Sequence, residues 1–463
     1  MENAEIPEGY VGNLTPFQER QLQKFWVRLT EITGTKAAAD ASGAASIRSA
    51  AGNSQHQDAN DNKYGQSDAF TRYLASEPPE AIRRALWAVV KNDNPDSMVL
   101  RFLRARKWDV DKAIVMLVTM VEWRALQNVD TVVVRGGEGV GLKEKRTDDE
   151  EGLLLQYRLG KSFVRGLDKN RRPVYIVKPR LHSPKTQTGR AMELYILHTI
   201  ESIRMLVKDP FDTACLIFDL TGFGLRNMDF PAVKFLIQVF EARYPETLGV
   251  VLIHNAPWVF QGIWRIVKGW LDPVVASKIH FTSKAADLEQ FIPHANLMAE
   301  YGGADDYTYS YVEPRAGEND AMQDLERIQK LTAEREAIIA EYEKATIEWA
   351  AAAAAAAAAT APAPAVAQEE KERAEVEKEE RKEKGEEGEE EGEGDHQTET
   401  EAAASRQQEE EADEEKYAAR RAALAERLAA NYWLLDPHVR SRNIYDRLGI
   451  LSETGEVNFA PKT

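Results

Sequence analysis

The clearest candidate for nucleotide chemistry is the run LIFDLTGFGLRN (216–227), where a strand-like segment ends in an acid and a Gly-x-Gly. Asp219 could act as a nucleotide-site acid only beside a phosphate loop, and GxxxxGK[ST] occurs nowhere in the sequence. A dinucleotide fingerprint requires a third glycine, and Asn227 stands in its place. We therefore predict a structural turn at this segment. A second glycine-rich run, GGEGVG (136–141), follows no predicted strand and is expected to be a flexible loop.

Sequence motifs for hydrolysis and for metal binding are missing. The eight histidines form no HExxH or other paired metal spacing, no serine lies in GxSxG, and Cys215 is the single cysteine. His254 ends a strand-like run, where we expect a buried histidine with a satisfied hydrogen bond rather than a ligand or a base. These observations predict a protein that is not an enzyme and that uses no cofactor or metal.

Basic side chains crowd the segment LRFLRARKWDVDKAIVMLVTMVEWR (100–124). The pattern predicts two helices joined at RKWD, with Asp109 as the N-cap of the second. The basic residues of the first helix are Arg101, Arg104, Arg106 and Lys107. Taken alone, this cluster fits a solvated basic face as well as a functional one.

Three tryptophans fall within NAPWVFQGIWRIVKGWLDP (255–273), a short run with helical periodicity. At about 100° per residue, its apolar side chains cover roughly half of the helix circumference. These side chains are Val259, Phe260, Ile263, Trp264, Ile266, Val267, Trp270 and Leu271. Such a broad apolar arc fits either a half-buried core helix or a movable element that faces lipid.

The elements that must position these residues belong to a chain of 463 residues, of which 43% are hydrophobic. The net charge of −17 is concentrated between residues 369 and 415, which hold 23 acidic and 7 basic residues, so the remainder is nearly neutral. No apolar run approaches the ~18–20 residues of a membrane span. The start, MENAEIPEGY, has no basic and apolar signal pattern, and one cysteine excludes a disulfide framework, so we expect a reducing, cytosolic setting.

Short apolar runs that alternate with helical patterns predict an α/β fold. The strand-like runs are RRPVYIVK (171–178), TACLIFDL (213–220), GVVLIHNA (249–256) and IHFTS (279–283). Helical patterns are found at 15–33, opened by Thr15 and a proline, and at 68–130, 189–208, 230–243 and 284–292. Strands that are buried on both faces and separated by helices indicate a largely parallel sheet.

The C-terminal third is charged and repetitive. Residues 319–349 are predicted to form a helix with an apolar stripe, which ten alanines extend to Ala359. The acidic low-complexity stretch that follows is predicted to be a solvated spacer. The segment NYWLLDPHVRSRNIYDRLGIL (431–451) carries aromatic and aliphatic anchors, so it should dock back on the folded body.

Several of these segments, in this order, resemble the CRAL-TRIO lipid-binding family, and specifically its fungal phosphatidylinositol-transfer branch. They are LRFLRARKWDVDKA, RRPVY, YPETLGVVLIHNAP, WLDPVVASKI and a closing EYGG (300–303). The resemblance covers residues 96–303. YVEPRAGEND and LDPHVRSRNIYDRLG look like extensions of one fungal subgroup.

Composition and periodicity, together with the resemblance, predict a division of the chain into seven parts. They are an N-terminal helix (1–33), a disordered linker (34–67), the family's N-terminal helical module (68–130), its lipid-binding domain (145–305), an extended C-terminal helix (306–359), a disordered acidic insert (360–415), and a C-terminal helix with a docking segment (416–463). The lipid-binding domain would have a mixed, largely parallel sheet and an apolar pocket closed by a gate helix. The implied gate and membrane-facing residues are Trp258, Phe260, Ile263, Trp264, Val267, Trp270 and Leu271.

Head-group selection can be inferred from the same resemblance. The positions that meet an inositol phosphate in the family correspond here to Arg106, Lys107, Glu246 and Lys278. Cations suit a phosphodiester, and a carboxylate suits inositol hydroxyls. Some members have an arginine where this chain has Thr247, so one cationic contact is expected to be missing.

The phosphatidylcholine site of the family matches less well. Its two hydroxyl-bearing strand positions correspond to Ala214 and Leu216, and only a tyrosine matches, at Tyr175. We therefore expect phosphatidylinositol binding with weak or absent phosphatidylcholine binding. The second ligand could instead be a more apolar, sterol-like or isoprenoid lipid.

The resulting prediction is a cytoplasmic, monomeric carrier that exchanges or presents phosphatidylinositol. We expect it to contact membranes transiently and to bind no nucleic acid. Lipid kinases are possible partners. The alternative is an interaction scaffold whose 319–431 region recruits proteins. Deleting 350–415 separates the two, because a carrier would keep its transfer rate and a scaffold would lose its partner.

Overall fold

The computed structural model describes four stretches of the chain, with the side chains of 358–360 and 396–414 excepted: residues 6–35, 62–208, 211–360 and 396–459. Most of the predicted linker and of the predicted acidic insert lies outside these residues. The chain divides into two compact units, Met1–Ala340 with Ala425–Thr463, and Glu341–Leu424. Among the described residues, no helix is both long and apolar enough to cross a bilayer.

Within the described residues, the N-terminal part of the first unit has five helices: α1 (Pro16–Ile32), α2 (Gln66–Ser76), α3 (Pro79–Val90), α4 (Pro95–Ala105) and α5 (Val110–Leu126). The Thr15 side chain accepts a hydrogen bond from the backbone of Gln18, which confirms it as the cap of α1. Asp109 caps α5 in the same way through Lys112, again as predicted.

A five-stranded sheet follows, in the order β1-β2-β3-β4-β5. Its strands are β1 (Ser162–Leu167), β2 (Pro173–Val177), β3 (Ala214–Asp219), β4 (Leu248–His254) and β5 (Ile279–Thr282). β1 is antiparallel to β2, and the other pairs are parallel, so the predicted mixed, largely parallel sheet is confirmed. β1 was not predicted from the sequence, because Arg165 and Gly166 interrupt its apolar run.

Helices cover the sheet and connect its strands. They are α6 (Asp148–Arg158), α7 (Gly189–Leu206), α8 (Phe230–Ala242), α9 (Phe260–Lys268), α10 (Pro273–Ser277) and α11 (Ala285–Leu288). The helix predicted over 284–292 is shorter than expected and ends at Leu288. The predicted flexible loop at 136–141 was wrong: Gly137–Leu142 forms a 3₁₀ helix, where Glu138 is buried and accepts from Arg447.

Alternation along the strands sends side chains to two separate cores. Leu216, Val251 and Ile253 lie on one face, which is the face that borders the cavity described below. Ile217 and Leu252 point to the other face, which is covered by side chains between residues 288 and 301. The sheet is therefore buried on both sides, as its continuous apolar strands predicted.

The C-terminal helices are α12 (Leu325–Thr360), α13 (His396–Val439) and α14 (Ile444–Arg447). The helix expected from residue 306 begins only at Leu325. Residues 306–312 form neither helix nor strand, and Tyr307, Tyr309 and Tyr311 are the less exposed positions of an every-second-residue pattern. α13 begins inside the range predicted to be disordered, so residues 396–415 are helical.

The last segment docks on the first unit, as predicted. The Tyr445 hydroxyl accepts a hydrogen bond from the backbone N–H of Val164 on β1 at 2.9 Å. In the second unit, Arg421 donates to the Tyr342 hydroxyl at 3.0 Å and lies 4.1 Å from the ring centre of Trp349. These contacts join the two helical stretches of that unit.

Candidate functional site

A cavity lies between one face of the sheet and helices α7, α8 and α9. The cavity has a volume of about 290 Å³. The walls are overwhelmingly apolar, and the sheet contributes Tyr175, Val177, Ala214, Leu216, Phe218, Val251, Ile253 and Ile279. The helices contribute side chains such as Ile196, Ile200, Leu236 and Phe240. A cavity with such walls suits acyl chains better than a polar metabolite.

Helix α9 forms one wall of the cavity. Of the predicted gate residues, those that line it are Phe260, Ile263, Trp264, Val267 and Leu271. Trp258 and Trp270 are not among the lining residues. Trp258 precedes the helix and is 83% exposed, and Trp270 follows it and packs edge-on against Phe230 with 5.7 Å between ring centres. The nine-residue helix is shorter than the 255–273 run, because both outer tryptophans lie in the turns that flank it.

Glu246 and Lys278 come together at the edge where the parallel strands begin, which we call the amino edge. The Lys278 ammonium donates to the Glu246 carboxylate at 3.2 Å, and both side chains are partly exposed. Their chain neighbours Thr247 and Ile279 line the cavity, so this pair lies at its border. The Thr247 hydroxyl donates to the Tyr244 carbonyl at 2.7 Å.

Arg106 and Lys107 lie at the end of α4. The Arg106 guanidinium donates to the Gln66 side chain at 3.0 Å. Lys107 has a positive φ of 51°, which turns the chain between α4 and α5, and its side chain is exposed. Tyr175, the remaining predicted head-group residue, belongs to a different part of the cavity.

Arg101 and Arg104 are not part of a solvated face. Arg101 donates to Asp212 at 2.9 Å and Arg104 donates to the same carboxylate at 3.0 Å, and all three side chains are largely buried. Asp93 joins them through Arg101 and Arg204. Burial alone would raise the pKa of Asp93, but the two guanidinium groups hold it below its usual range. These ion pairs connect the N-terminal helices to the cavity domain.

A cluster of hydroxyl groups surrounds Tyr175. Its hydroxyl donates to Ser162 Oγ at 2.5 Å, and Ser162 Oγ also lies 2.5 Å from the Tyr195 hydroxyl. All three residues line the cavity. Burial raises the pKa of Tyr175 to about 12, so it remains a neutral hydrogen-bond donor.

Three further polar residues line the cavity, and none of them was predicted from the sequence. They are Lys161, His182 and Asp229. Lys161 immediately precedes β1, the strand that the sequence analysis did not find, and this is why its position was not recognised. Asp229 also caps α8 by accepting from the Ala232 backbone at 3.1 Å.

Asp219 and His254 have structural roles, as predicted. Asp219 accepts from Arg180 at 2.6 Å and from the Tyr301 hydroxyl at 3.2 Å. His254 is buried and lies 3.1 Å from the Thr282 hydroxyl. Within the described parts of the chain, no group of histidine, cysteine and carboxylate side chains is arranged to hold a metal ion.

Two family models match parts of this chain. Residues 157–303 match the CRAL/TRIO domain model, and residues 66–119 match the CRAL/TRIO N-terminal domain model. The solved structure "Crystal structure of Sfh5" is 17% identical, covering 48% of this chain and 78% of that chain with a TM-score of 0.38.

Two curated fungal proteins are similar over most of their length. "Phosphatidylinositol transfer protein CSR1" of Eremothecium gossypii is 37% identical over 374 residues, which cover 80% of this chain and 72% of that protein. "CRAL-TRIO domain-containing protein C3H8.02" of Schizosaccharomyces pombe is 33% identical over 381 residues, covering 82% and 71%. With this similarity, both domain matches and the mixed sheet that borders an apolar cavity, the chain belongs to the CRAL-TRIO family.

Proposed function

We propose that this chain binds one phosphatidylinositol molecule in its cavity and carries it between membranes or presents it to a lipid kinase. The observation that carries the proposal is the apolar cavity walled on one side by α9. The name of the relative CSR1, a phosphatidylinositol transfer protein, supports the same lipid. A monomer that acts in the cytoplasm and touches membranes transiently is part of this proposal.

A cavity that shields acyl chains from water is what a lipid carrier needs energetically. Two acyl chains contain roughly thirty methylene groups, and exposing each to water costs ~0.8 kcal/mol. The sum, on the order of 24 kcal/mol, makes unassisted desorption negligible. A carrier must therefore shield the chains throughout transfer.

The amino edge offers the groups that an inositol phosphate requires. In the proposed complex, Lys278 turns from Glu246 to the phosphodiester, and Glu246 then accepts from inositol hydroxyls. Arg106 and Lys107 supply further positive charge from the end of α4. Thr247 follows Glu246 in the chain and offers a hydroxyl rather than a cation.

The strand at the centre of the cavity disfavours phosphatidylcholine. Ala214 and Leu216 both line the cavity, and neither side chain can donate a hydrogen bond to a phosphocholine phosphate. Tyr175 is the matching residue that remains. We expect phosphatidylcholine binding to be weak or absent for this reason.

Exposed apolar side chains around α9 support contact with a bilayer. Trp258, Ile266, Val274 and Phe281 are all exposed, and they belong to α9, its flanks, α10 and β5. Tryptophan favours the interface between head groups and acyl chains. Movement of α9 toward the bilayer would open the cavity to a lipid.

The test is transfer of radiolabelled phosphatidylinositol from phosphatidylcholine vesicles to unlabelled acceptor vesicles. The double variant Arg106→Ala/Lys278→Ala should reduce transfer about tenfold or more, because charge-assisted hydrogen bonds to the phosphate contribute ~1.5–3 kcal/mol each. The matched control, Arg327→Ala/Lys330→Ala on α12, removes the same charge far along the chain and should transfer normally.

Two results would contradict the proposal. If the double variant Arg106→Ala/Lys278→Ala transfers phosphatidylinositol at the wild-type rate, the site assignment is wrong. A wild-type protein that moves no phosphatidylinositol between vesicles would remove the function itself.

A more apolar ligand is the second candidate. It is favoured by the lack of hydrogen-bonding side chains on the cavity face of β3, where Ala214, Leu216 and Phe218 lie. Native mass spectrometry of the lipids that co-purify with the protein separates the two candidates, since a sterol-like or isoprenoid lipid and phosphatidylinositol differ in mass.

A further inference from the structure

A second polar group meets the cavity at the edge where the parallel strands end, the carboxyl edge. Lys161 precedes β1, His182 follows β2, and Asp229 precedes α8, and all three line the cavity. Glu246 and Lys278 lie at the opposite edge. The intervening strands β2, β3 and β4 have five to seven residues. At about 3.3 Å per residue, the two polar groups are ~20 Å apart.

The three side chains form a chain of hydrogen bonds. Lys161 Nζ lies 2.7 Å from His182 Nδ1, and His182 Nε2 lies 3.1 Å from Asp229 Oδ2. Burial, followed by the nearby Lys161, lowers the pKa of His182, so its ring is neutral near pH 7. The ammonium therefore donates to Nδ1, and Nε2–H donates to the carboxylate. Lys161 is the positively charged member of this chain of hydrogen bonds.

Lys161 differs from the other buried lysines of the described chain. Lys91 and Lys178 contact the carboxylates of Glu201 and Glu300 directly. For Lys161, which is 3% exposed, the acceptors in the described residues are the neutral side chains of Gln156 and His182. Two acceptors leave one of its three N–H groups for another partner. A buried ammonium without a direct counter-ion is costly, so an anion that enters the cavity would offset this cost.

Hydroxyl groups that also line the cavity follow this cation in the chain or contact the residue that does. Ser162 is the next residue, and its hydroxyl contacts those of Tyr175 and Tyr195. One ammonium with a few hydroxyl groups matches the charge and hydrogen-bonding capacity of a single negative oxygen group. The same arrangement repels a choline cation.

We propose that the carboxyl edge of the cavity is a second head-group site, which binds a singly charged oxygen anion of an amphiphile at Lys161 while its apolar chain occupies the cavity. A fatty carboxylate and a lysophospholipid phosphodiester share this chemistry. The proposal does not depend on the phosphatidylinositol site, because the residues involved are different and lie at the other edge of the sheet.

The test compares anionic and neutral probes of the same acyl chain in the full-length protein. The probes are oleate with oleyl alcohol, and oleoyl lysophosphatidylglycerol with monooleoylglycerol, each titrated calorimetrically below its aggregation threshold. Lys161→Met keeps most of the length of the side chain and removes its charge. We expect it to weaken binding of an anionic probe about tenfold or more and to leave the neutral partner unchanged. Lys185→Met, at an exposed position, is the matched control.

The pattern of losses identifies the ligand. If Lys161→Met weakens binding of oleate alone, the ligand of the site is a carboxylate. If it weakens binding of the lysophospholipid alone, the ligand is a phosphodiester, and if it weakens both, the site accepts either anion. If Lys161→Met binds its neutral probes normally and neither anion is weakened relative to the control, the proposal is wrong.

A pH titration of the unmodified protein tests the same site without a substitution. Burial lowers the pKa of Lys161 to about 8, with Asp229 acting in the opposite direction. The other titratable groups of this part of the cavity are His182, Asp229, Tyr175 and Tyr195. Burial lowers the pKa of His182 and raises those of both tyrosines, away from this range. The preference for oleate over oleyl alcohol should therefore fall as the pH rises above about 8, and a constant preference from pH 7 to 10 would refute the proposal.

Discussion

His198 shows how strongly the interior of this protein perturbs a single residue. It lies on α7, fully buried, with Nδ1 2.5 Å from the Tyr157 hydroxyl. Burial and the charges of Arg440 and Arg447 lower the pKa of His198 to about 3. The folded protein therefore keeps this ring neutral at a pH at which the unfolded chain protonates it.

This difference predicts acid sensitivity. Because the unfolded chain binds a proton below its pKa of 6.5 and the folded chain does not until about 3, stability is present above pH 6.5 and is lost as the pH falls. At ~1.4 kcal/mol per pH unit, the loss from His198 between pH 7 and pH 5 is about 2 kcal/mol. His198→Gln should reduce the drop in unfolding free energy over this interval by that amount, as measured by urea denaturation at both pH values.

The control for this experiment is His294→Gln. His294 is paired with Glu289, but its side chain is 62% exposed, so it should leave the pH dependence nearly unchanged. Equal pH dependence in the wild type and His198→Gln would show that His198 does not contribute.

At the level of elements, the important feature is how the C-terminal end of α9 is held. The Glu241 carboxylate at the end of α8 accepts from the backbone N–H of Asp272 at 2.6 Å. It also accepts from the Lys63 ammonium at 2.8 Å and the Tyr64 hydroxyl at 2.6 Å. Lys63 in turn donates to the Trp270 carbonyl at 3.0 Å. One buried carboxylate thus joins the turn after α9 to two other elements.

We expect Glu241→Ala to loosen this turn and leave the rest of the sheet intact. Loss of hydrogen bonds to a charged group, each contributing ~1.5–3 kcal/mol, should speed amide hydrogen exchange at residues 269–272 about tenfold or more. Mass spectrometry of peptic peptides measures this change directly. If α9 moves during lipid uptake, the variant should also exchange lipid faster.

Glu289→Ala is the corresponding control on the opposite face of the sheet. Its carboxylate contacts the exposed His294, and its loss should not change exchange at 269–272. Unchanged exchange in Glu241→Ala would mean that this carboxylate does not hold the turn.

For the molecule as a whole, the C-terminal segment is part of the cavity domain, although it lies outside both matched family domains. Tyr445 and Ile444 belong to the same buried core as Leu216 and Ile263. The family matches end at residue 303, more than a hundred residues earlier in the chain. The folded body is therefore completed by a segment that is distant in sequence.

Tyr445→Ala tests this dependence. Removing a buried aromatic side chain typically costs ~3–5 kcal/mol, and here the backbone N–H of Val164 also loses its acceptor. At about 2–4 °C per kcal/mol for a domain of this size, the Tm should fall by roughly 6–20 °C. Circular dichroism melting measures the change.

Tyr417→Ala, in the second unit, provides the comparison. Tyr417 is only partly buried and contacts Lys416, so its loss should shift the melting of the first unit very little. Equal shifts in the two variants would mean that the C-terminal segment does not support the core.

Local patterns in the sequence were sufficient for most elements. Thr15 and Asp109 were recognisable as caps because capping depends on a side chain and the backbone two or three residues away. The parallel strands were recognisable because each is a short run of apolar side chains buried on both faces. Pairs such as Glu246 and Lys278 came from matching known motifs, and the structure brings these two together.

What only the tertiary structure decided concerns residues whose partners are far away in the chain. The sequence around Arg101 is compatible with a solvent-facing cation, but the fold buries Arg101 against Asp212, which lies 111 residues later in the chain. Lys161 faces the cavity because β1 pairs with β2, and nothing in the run around it is apolar enough to reveal that strand. The alternation and capping that determine an element are local, whereas burial and charge pairing depend on distances that exist only once the sheet and helices have packed.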